Sequence, residues 1–261
     1  MLFLRAILRL TRLDTSLLAC LAIFLPTFAR TKNVGFSVGQ AIPLLFICMC
    51  TFVANDIDDL EKDRINHPGR PLPARHLTLQ LAAVLYFAVL AAALFSTRYF
   101  VTQGIAFWYY GLMTLSISYG YVVEWLPSFK TIYVAIASSI PVLIVATTYP
   151  NEPRLKIAAG CVVLFTLGRE ICGDVLDRAG DAVTNIHRFK PQSLAAAAFF
   201  LQIIGLALLT IQIRGPGDGT AVAAMTLLLG LSGLYWFKFE KGRLATYLMK
   251  IQLFVGLYFL L

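Results

Sequence analysis

Charge is scarce in this sequence. Asp, Glu, Lys and Arg make up 14% of its 261 residues and hydrophobic residues 59%, whereas a soluble domain carries about a quarter charged residues. That deficit excludes a soluble globular protein and indicates a polytopic membrane protein. The charge present is unbalanced, with 22 Lys and Arg against 14 Asp and Glu. The basic residues are scattered and form no run, which argues against a nucleic-acid partner and for topology signals and anionic lipid headgroups. Histidine is limited to three residues, and His67, His76 and His187 have no ligand spacing. None of the five cysteines, Cys20, Cys48, Cys50, Cys161 and Cys172, falls in a pattern that closes a zinc site. They read as small core residues with no redox role. No stretch rich in Pro, Gly or Ser divides the chain, so residues 1–261 read as one domain. No cleavable leader is evident either. Met1 to Asp14 is apolar but carries Arg5, Arg9 and Arg12, the pattern of a short interfacial helix with snorkelling arginines.

Apolar length, by contrast, is abundant. At roughly 20 residues per crossing, about nine runs stand out: Ser16–Ala29, which is short and continues from the interfacial helix, Val38–Ala54, Leu79–Ser96, Gly104–Val123, Thr131–Tyr149, Leu155–Ile171, Ser193–Ile213, Thr220–Phe237 and Leu244–Leu261. The fold class expected is all-α, a polytopic bundle of about nine transmembrane helices. With the N-terminus placed in the cytoplasm, fifteen basic residues fall in inside segments and six in outside ones, Lys250 lying within a span. An N-in, C-out orientation follows.

Two aspartate triads share one spacing, Asp56-Asp59-Asp63 and Asp174-Asp177-Asp181, and each begins where an apolar run stops. An i, i+3, i+7 spacing puts three carboxylates along one helix face. Six acids this close to a bilayer repel one another unless cations compensate them. Hard divalent ions take oxygen ligands and also bind diphosphate. The orientation above places both triads on the cytoplasmic side.

The triads also suggest a weak internal duplication. The second span ends in the first triad and the sixth span in the second, with Asp56 and Asp174 118 residues apart. Two related halves around a shared cavity would bring the acid stripes face to face. The first triad lies in Asn55-Asp56-Ile57-Asp58-Asp59-Leu60-Glu61-Lys62-Asp63 and is followed by Pro68, Pro71 and Pro73. Those prolines end the helix and stiffen an extended loop, from which Arg70 can reach back to an anion held over the acids. The second triad is preceded by Gly168-Arg169-Glu170. Each half thus offers acids for metal and an arginine for phosphate oxygens.

At these residues the sequence resembles the UbiA superfamily of intramembrane prenyltransferases. The family's N-D-x-x-D-x-x-x-D motif is matched by Asn55, Asp56, Asp59 and Asp63, and its D-x-x-x-D motif by Asp177 and Asp181, with Asp174 one turn earlier. Asp63 to Pro73 is similar to the D-x-x-N-x-P-x-R-P-L-P loop of members that prenylate archaeal lipids or make chlorophyll. The resemblance implies nine helices around a central cavity, with Mg²⁺ bridging the acids to an isoprenyl diphosphate of the C15–C20 class. It implies metal-holding and catalytic roles for Asp56, Asp59, Asp63, Asp174, Asp177 and Asp181. Asn55 would orient the first site, while Arg70, Lys130 and Arg169 would hold the diphosphate. Arg12 is placed like an arginine near the start of many members, although the proline that often follows it is missing.

Ionising an allylic diphosphate requires its departing charge to be neutralised and the cation kept dry among π-faces. Aromatics are plentiful for this, among them Phe107, Trp108, Tyr109, Tyr110, Tyr119, Tyr121 and Tyr133, with Tyr119 and Tyr121 the candidates for lining the substrate site. Asp58, Glu61 and Glu170 read as supporting or solvent-facing acids. The family's glycine, basic residues and Thr-Leu-Pro after the second motif are replaced here by Ala182 to Lys190, which leaves the acceptor open. The function expected is Mg²⁺-dependent transfer of a prenyl group to a lipophilic acceptor. Cyclisation of the prenyl chain without an acceptor is the alternative, and a non-enzymatic cation carrier the second alternative.

Overall fold

The computed structural model describes residues 2–126, 129–177, 190–238, 240–256 and 261. Among these, all regular structure is helical, in eleven helices. The chain divides into two compact units, Met1–Leu126 and Pro127–Leu261, so Asp56 and Asp174 belong to different units.

The first unit holds α1 (Leu2–Leu10), α2 (Leu13–Thr31), α3 (Val34–Asp58), α4 (Leu60–Asn66), α5 (Leu79–Phe100) and α6 (Gln103–Trp125). The starts follow local chemistry. The Asn33 side chain accepts the Phe36 N–H ahead of α3, and Thr78 accepts the Leu81 N–H ahead of α5, as capping residues do. Helix α3 is the organising element and packs against α2, α5 and α6. Thr51 and Ser116 hydroxyls meet at 2.6 Å between α3 and α6, and Tyr109 donates to the Gln40 carbonyl at 2.6 Å. At the acidic end of α3, Ala6 and Leu10 of α1, Leu72 and Leu77 of the proline-rich loop, and Ala82 of α5 pack on Val53. This small core fixes both α1 and the loop beside the first triad. Helix α1 is amphipathic, with Ala6 and Leu10 buried and Phe3, Leu4 and Leu8 exposed.

The second unit holds α7 (Lys130–Thr148), α8 (Pro153–Leu176), α9 (Pro191–Thr210), α10 (Pro216–Phe237) and α11 (Gly242–Gly256). Proline opens α8, α9 and α10, where its missing N–H costs nothing and its φ suits the helix. Helix α8 packs against α7, α9 and α11, over a core that includes Phe165, Cys172, Phe199, Met225 and Met249. Gly168 lets α8 approach α9 closely: a Cβ there would stand 2.6 Å from the Ala198 carbonyl oxygen. The five cysteines are free thiols, four of them buried.

Among the described residues, six helices, α2, α3, α5, α7, α9 and α10, are long and apolar enough to cross a bilayer, consistent with an integral multi-pass protein. Nine crossings were expected. The other three expected runs fall on α6, α8 and α11, and composition sets the first two apart. Tyrosine, serine and glycine dilute α6, while Arg154, Lys156, Arg169, Glu170 and Asp174 lie within α8. Helix α11 is described over Gly242–Gly256, and residues 257–260 of the expected run lie outside the described residues.

Candidate functional site

The first triad does not lie on an unbroken helix. Helix α3 ends at Asp58, Asp59 caps it with φ −89° and ψ 10°, and Asp63 lies in α4. The bend is mild, because the Asp59 N–H still reaches the Asn55 carbonyl at 2.9 Å and the Asp63 N–H the Asp59 carbonyl at 2.8 Å. Asp56 and Asp63 therefore stay on one side, and both are buried, at 2% and 4% exposure.

A buried carboxylate needs compensation, and here cationic side chains supply it. Arg70 Nη1 lies 2.5 Å from Asp63 Oδ2 and 3.5 Å from Asp56 Oδ1. Arg12 Nη2 approaches the same Asp56 Oδ1 at 2.7 Å, and its guanidinium carbon stands 4.8 Å from the Phe52 ring centroid. Lys62 Nζ lies 3.0 Å from Asp59 Oδ1. Burial raises the Asp63 carboxyl above the ordinary aspartate range, and Arg70 opposes that rise.

Arg12, which the resemblance places like an arginine near the start of many members, is brought to the first triad. It precedes α2 in the left-handed region, φ 42° and ψ 51°, which costs a residue other than glycine about 1–2 kcal/mol. Such a conformation persists where surrounding contacts over-determine it, and the Asp56 and Phe52 contacts do so here.

The second unit repeats the theme. Helix α8 ends at Leu176, and Asp177 caps it with φ −96° and ψ 12°. Asp174, one turn earlier, is buried at 6% exposure. It accepts from Lys130 Nζ at 3.2 Å and from Thr131 Oγ1 at 2.8 Å, both at the start of α7. Thr131 is a residue that the sequence reading does not single out. Asp181 lies outside the described residues, as do His187 and most of the departing Ala182 to Lys190 segment.

The other expected site residues are placed as follows. Asn55 is half-buried, and its carbonyl anchors the Asp59 cap. Arg169 is paired with the neighbouring Glu170. Tyr119 is buried, whereas Tyr121 is 71% exposed, so the two occupy different sides of α6. Tyr133 is buried in α7. Glu61 is exposed and pairs with Arg64 at 2.8 Å, and exposed Asp58 faces Gly120 of α6.

Among the described residues no three Asp, Glu, His or Cys side chains converge to hold a metal by themselves. The donors available are hard carboxylate oxygens in ones and twos, already gathering cations. That set suits a small hard divalent ion, which uses one or two carboxylates and completes its shell with water and phosphate oxygens.

Comparison with known proteins agrees with this chemistry. The sequence model of the UbiA prenyltransferase family matches residues 15–254. Digeranylgeranylglyceryl phosphate synthase of Pyrococcus furiosus is 31% identical over 173 residues, 61% of this chain and 60% of that protein. The chain thus spans about three fifths of that curated relative's length. A UbiA homologue from Aeropyrum pernix, solved in its apo form, superposes with a TM-score of 0.77 at 14% identity, covering 94% of this chain and 96% of that one. A UbiA homologue from Archaeoglobus fulgidus bound to GPP and Mg²⁺ gives a TM-score of 0.63 at 15% identity, with 98% and 99% covered. At such identities the likeness establishes a shared fold.

Proposed function

The chain belongs to the UbiA prenyltransferase family, and we propose that it ionises an isoprenyl diphosphate and transfers the prenyl group to a lipophilic acceptor bearing a glycerophosphate head. The observation that carries this reading is the Asp56–Arg70–Asp63 group, two buried carboxylates drawn around one guanidinium at the end of a span. The curated relative's name supports the acceptor class, and the Archaeoglobus homologue's bound GPP and Mg²⁺ support the donor and the metal. A carrier of cations alone is less well supported, because these acids stand at helix ends and carriers generally bind ions near mid-membrane.

In the first unit Asp56, Asp59 and Asp63 would hold Mg²⁺, and in the second Asp174, Asp177 and Asp181 would do so. When bound, Mg²⁺ supplies positive charge that neutralises the departing diphosphate. Arg70 and Lys130 add cationic donors for the diphosphate oxygens, and Arg169 does so on leaving Glu170. Asn55 holds the Asp59 cap and so sets the register of the first motif. Tyr119, the buried one of the two expected tyrosines, offers a π-face to the prenyl chain, which has the C15–C20 length, whereas exposed Tyr121 on another side of α6 does not join it. The motifs and the N-terminus face the cytoplasm, as the distribution of basic residues supports.

The test is mass spectrometry of lipids from cells expressing wild type or Asp59→Ala. A prenylated glycerophosphate lipid, present with wild type and absent with the variant, is expected. A cyclic hydrocarbon made from geranylgeranyl diphosphate without acceptor would replace transfer by cyclisation.

A further inference from the structure

Within each unit a cation at the start of one helix reaches the first aspartate at the end of the next. Arg12, which immediately precedes α2, pairs with Asp56 of α3 at 2.7 Å. Lys130, the first residue of α7, pairs with Asp174 of α8 at 3.2 Å. Both pairs are separated by 44 residues. One offset of 118 residues therefore carries Arg12 onto Lys130 and Asp56 onto Asp174. The same offset carries Asp59 onto Asp177, the acids that cap α3 and α8 with matching backbone angles.

The register continues in the sequence, from Asp63 to Asp181, Arg70 to Arg188 and Pro73 to Pro191, although Asp181 and Arg188 lie outside the described residues. Chance could align two acids. It does not readily align the acids, their partner cations and the backbone that ends each helix.

We propose that Arg12 and Lys130 are two copies of one internal counter-ion, each occupying the leading aspartate of its motif until a divalent cation and diphosphate arrive. Burial requires each aspartate to have a cationic partner, and an arginine or lysine tethered to the preceding helix start provides one without a ligand. The tether is also a competitor. While it holds Asp56 or Asp174 it opposes capture of a lone divalent cation by that carboxylate. Once displaced it becomes a cationic donor for an anion that enters with the metal. Metal alone is thereby disfavoured, and metal with diphosphate is favoured. Arg12 and Lys130 are accordingly positioning residues that select a composite ligand over its metal part. This rests on the proposed function for the identity of the ligand, but its signature lies in binding and not in turnover.

The experiment titrates purified protein in lipid nanodiscs with Mn²⁺, followed by electron paramagnetic resonance, with and without inorganic diphosphate. Arg12→Gln should bind Mn²⁺ alone about tenfold more tightly than wild type, because a unit charge adjacent to the ligand carboxylate has gone. It should bind inorganic diphosphate in the presence of Mn²⁺ more weakly. Arg12→Lys should restore the wild-type ordering, and Lys130→Gln should reproduce the pair of opposite shifts. A purely structural role would weaken both affinities together, and that result, or unchanged Mn²⁺ affinity, overturns the inference. If Arg12→Gln does not fold, Lys130→Gln decides by the same criterion. Wild type that binds no Mn²⁺ with or without diphosphate removes the proposed function as well, so the two failures are distinguishable.

Discussion

Arg70 and Asp63 form a closed ion pair, Nη1 to Oδ2 2.5 Å, across the turn that joins α4 to the proline-rich loop. The loop's Leu72 and Leu77 are anchored in the core beside Val53, so the arginine is delivered to the acid by packing and not by charge alone. Asp63 pays for its burial with a raised carboxyl pKa, which Arg70 partly offsets. A carboxyl with a raised folded-state pKa favours the fold below its unfolded value. That contribution is lost as pH rises through the folded pKa. Arg70→Leu should therefore melt below wild type at neutral pH, by about 3 kcal/mol, the lower end for breaking a buried pair because Arg70 is partly exposed. The gap should narrow on acidification, as Asp63 takes up its proton. Thermal unfolding in detergent across that pH range checks it; a gap that widens at low pH contradicts the assignment.

Thr131 should couple to Asp174. A hydrogen bond to a charged group contributes about 1.5–3 kcal/mol, and the Thr131 hydroxyl lies 2.8 Å from Asp174 Oδ2. Thr131→Val should destabilise the protein within that range in the wild-type background and much less in Asp174→Ala. A double-mutant cycle on thermal stability measures the coupling; equal losses in both backgrounds would show that the hydroxyl acts elsewhere.

Gly168 and Gly160 lie on the same helix but should respond oppositely to alanine. At Gly168 a Cβ would crowd the Ala198 carbonyl and the Gln202 side chain, whereas nothing lies within 4 Å of one at Gly160. Gly168→Ala should cost about 1–3 kcal/mol through forced separation of α8 and α9. Gly160→Ala should be neutral or gain up to about 1 kcal/mol in helix propensity. Melting temperatures of the two variants, compared side by side, decide the matter, and equal behaviour would refute the close α8–α9 approach.

Neighbouring acids should separate by role. Glu61 is exposed beside Arg64, and a surface pair contributes about 1 kcal/mol at most, so Glu61→Ala should release diphosphate at close to the wild-type rate. Asp59→Ala should lose about 100-fold or more, as removal of an electrostatic group at the reacting centre does. Assay of released diphosphate from geranylgeranyl diphosphate compares them; comparable losses would mean that the acidic stretch acts only as bulk charge.

The sequence shows the acids clearly and their partners poorly, for a physical reason. Asp56, Asp59 and Asp63 are conspicuous because carboxylates at the end of an apolar run are costly and their spacing matches a helix face. The break at Asp59 is hidden in that spacing, since i, i+3 and i+7 hold on either side of a mild bend. Arg12 reads as an interfacial arginine, or by resemblance as the arginine near the start of many members, and only its left-handed backbone and its contact with Asp56, 44 residues away, give it a partner. The 118-residue offset was visible for the acids, and extending it to Arg12 and Lys130 would have found the pair. The pairing of Arg169 with Glu170 and the opposite placement of Tyr119 and Tyr121 depend on side-chain direction, which residue type alone does not determine. The expected nine crossings rest on apolar length, and α6 and α8 trade some of that length for polar side chains.

The most direct test is release of diphosphate from geranylgeranyl diphosphate by the purified protein in nanodiscs, with Mg²⁺ present or chelated, for wild type, Asp56→Asn and Asp174→Asn. Wild type should release it only with Mg²⁺, and each variant should fall to near background while retaining a cooperative melt. Release that survives chelation, or that persists in both variants, would contradict an acid-held metal as the means of ionisation.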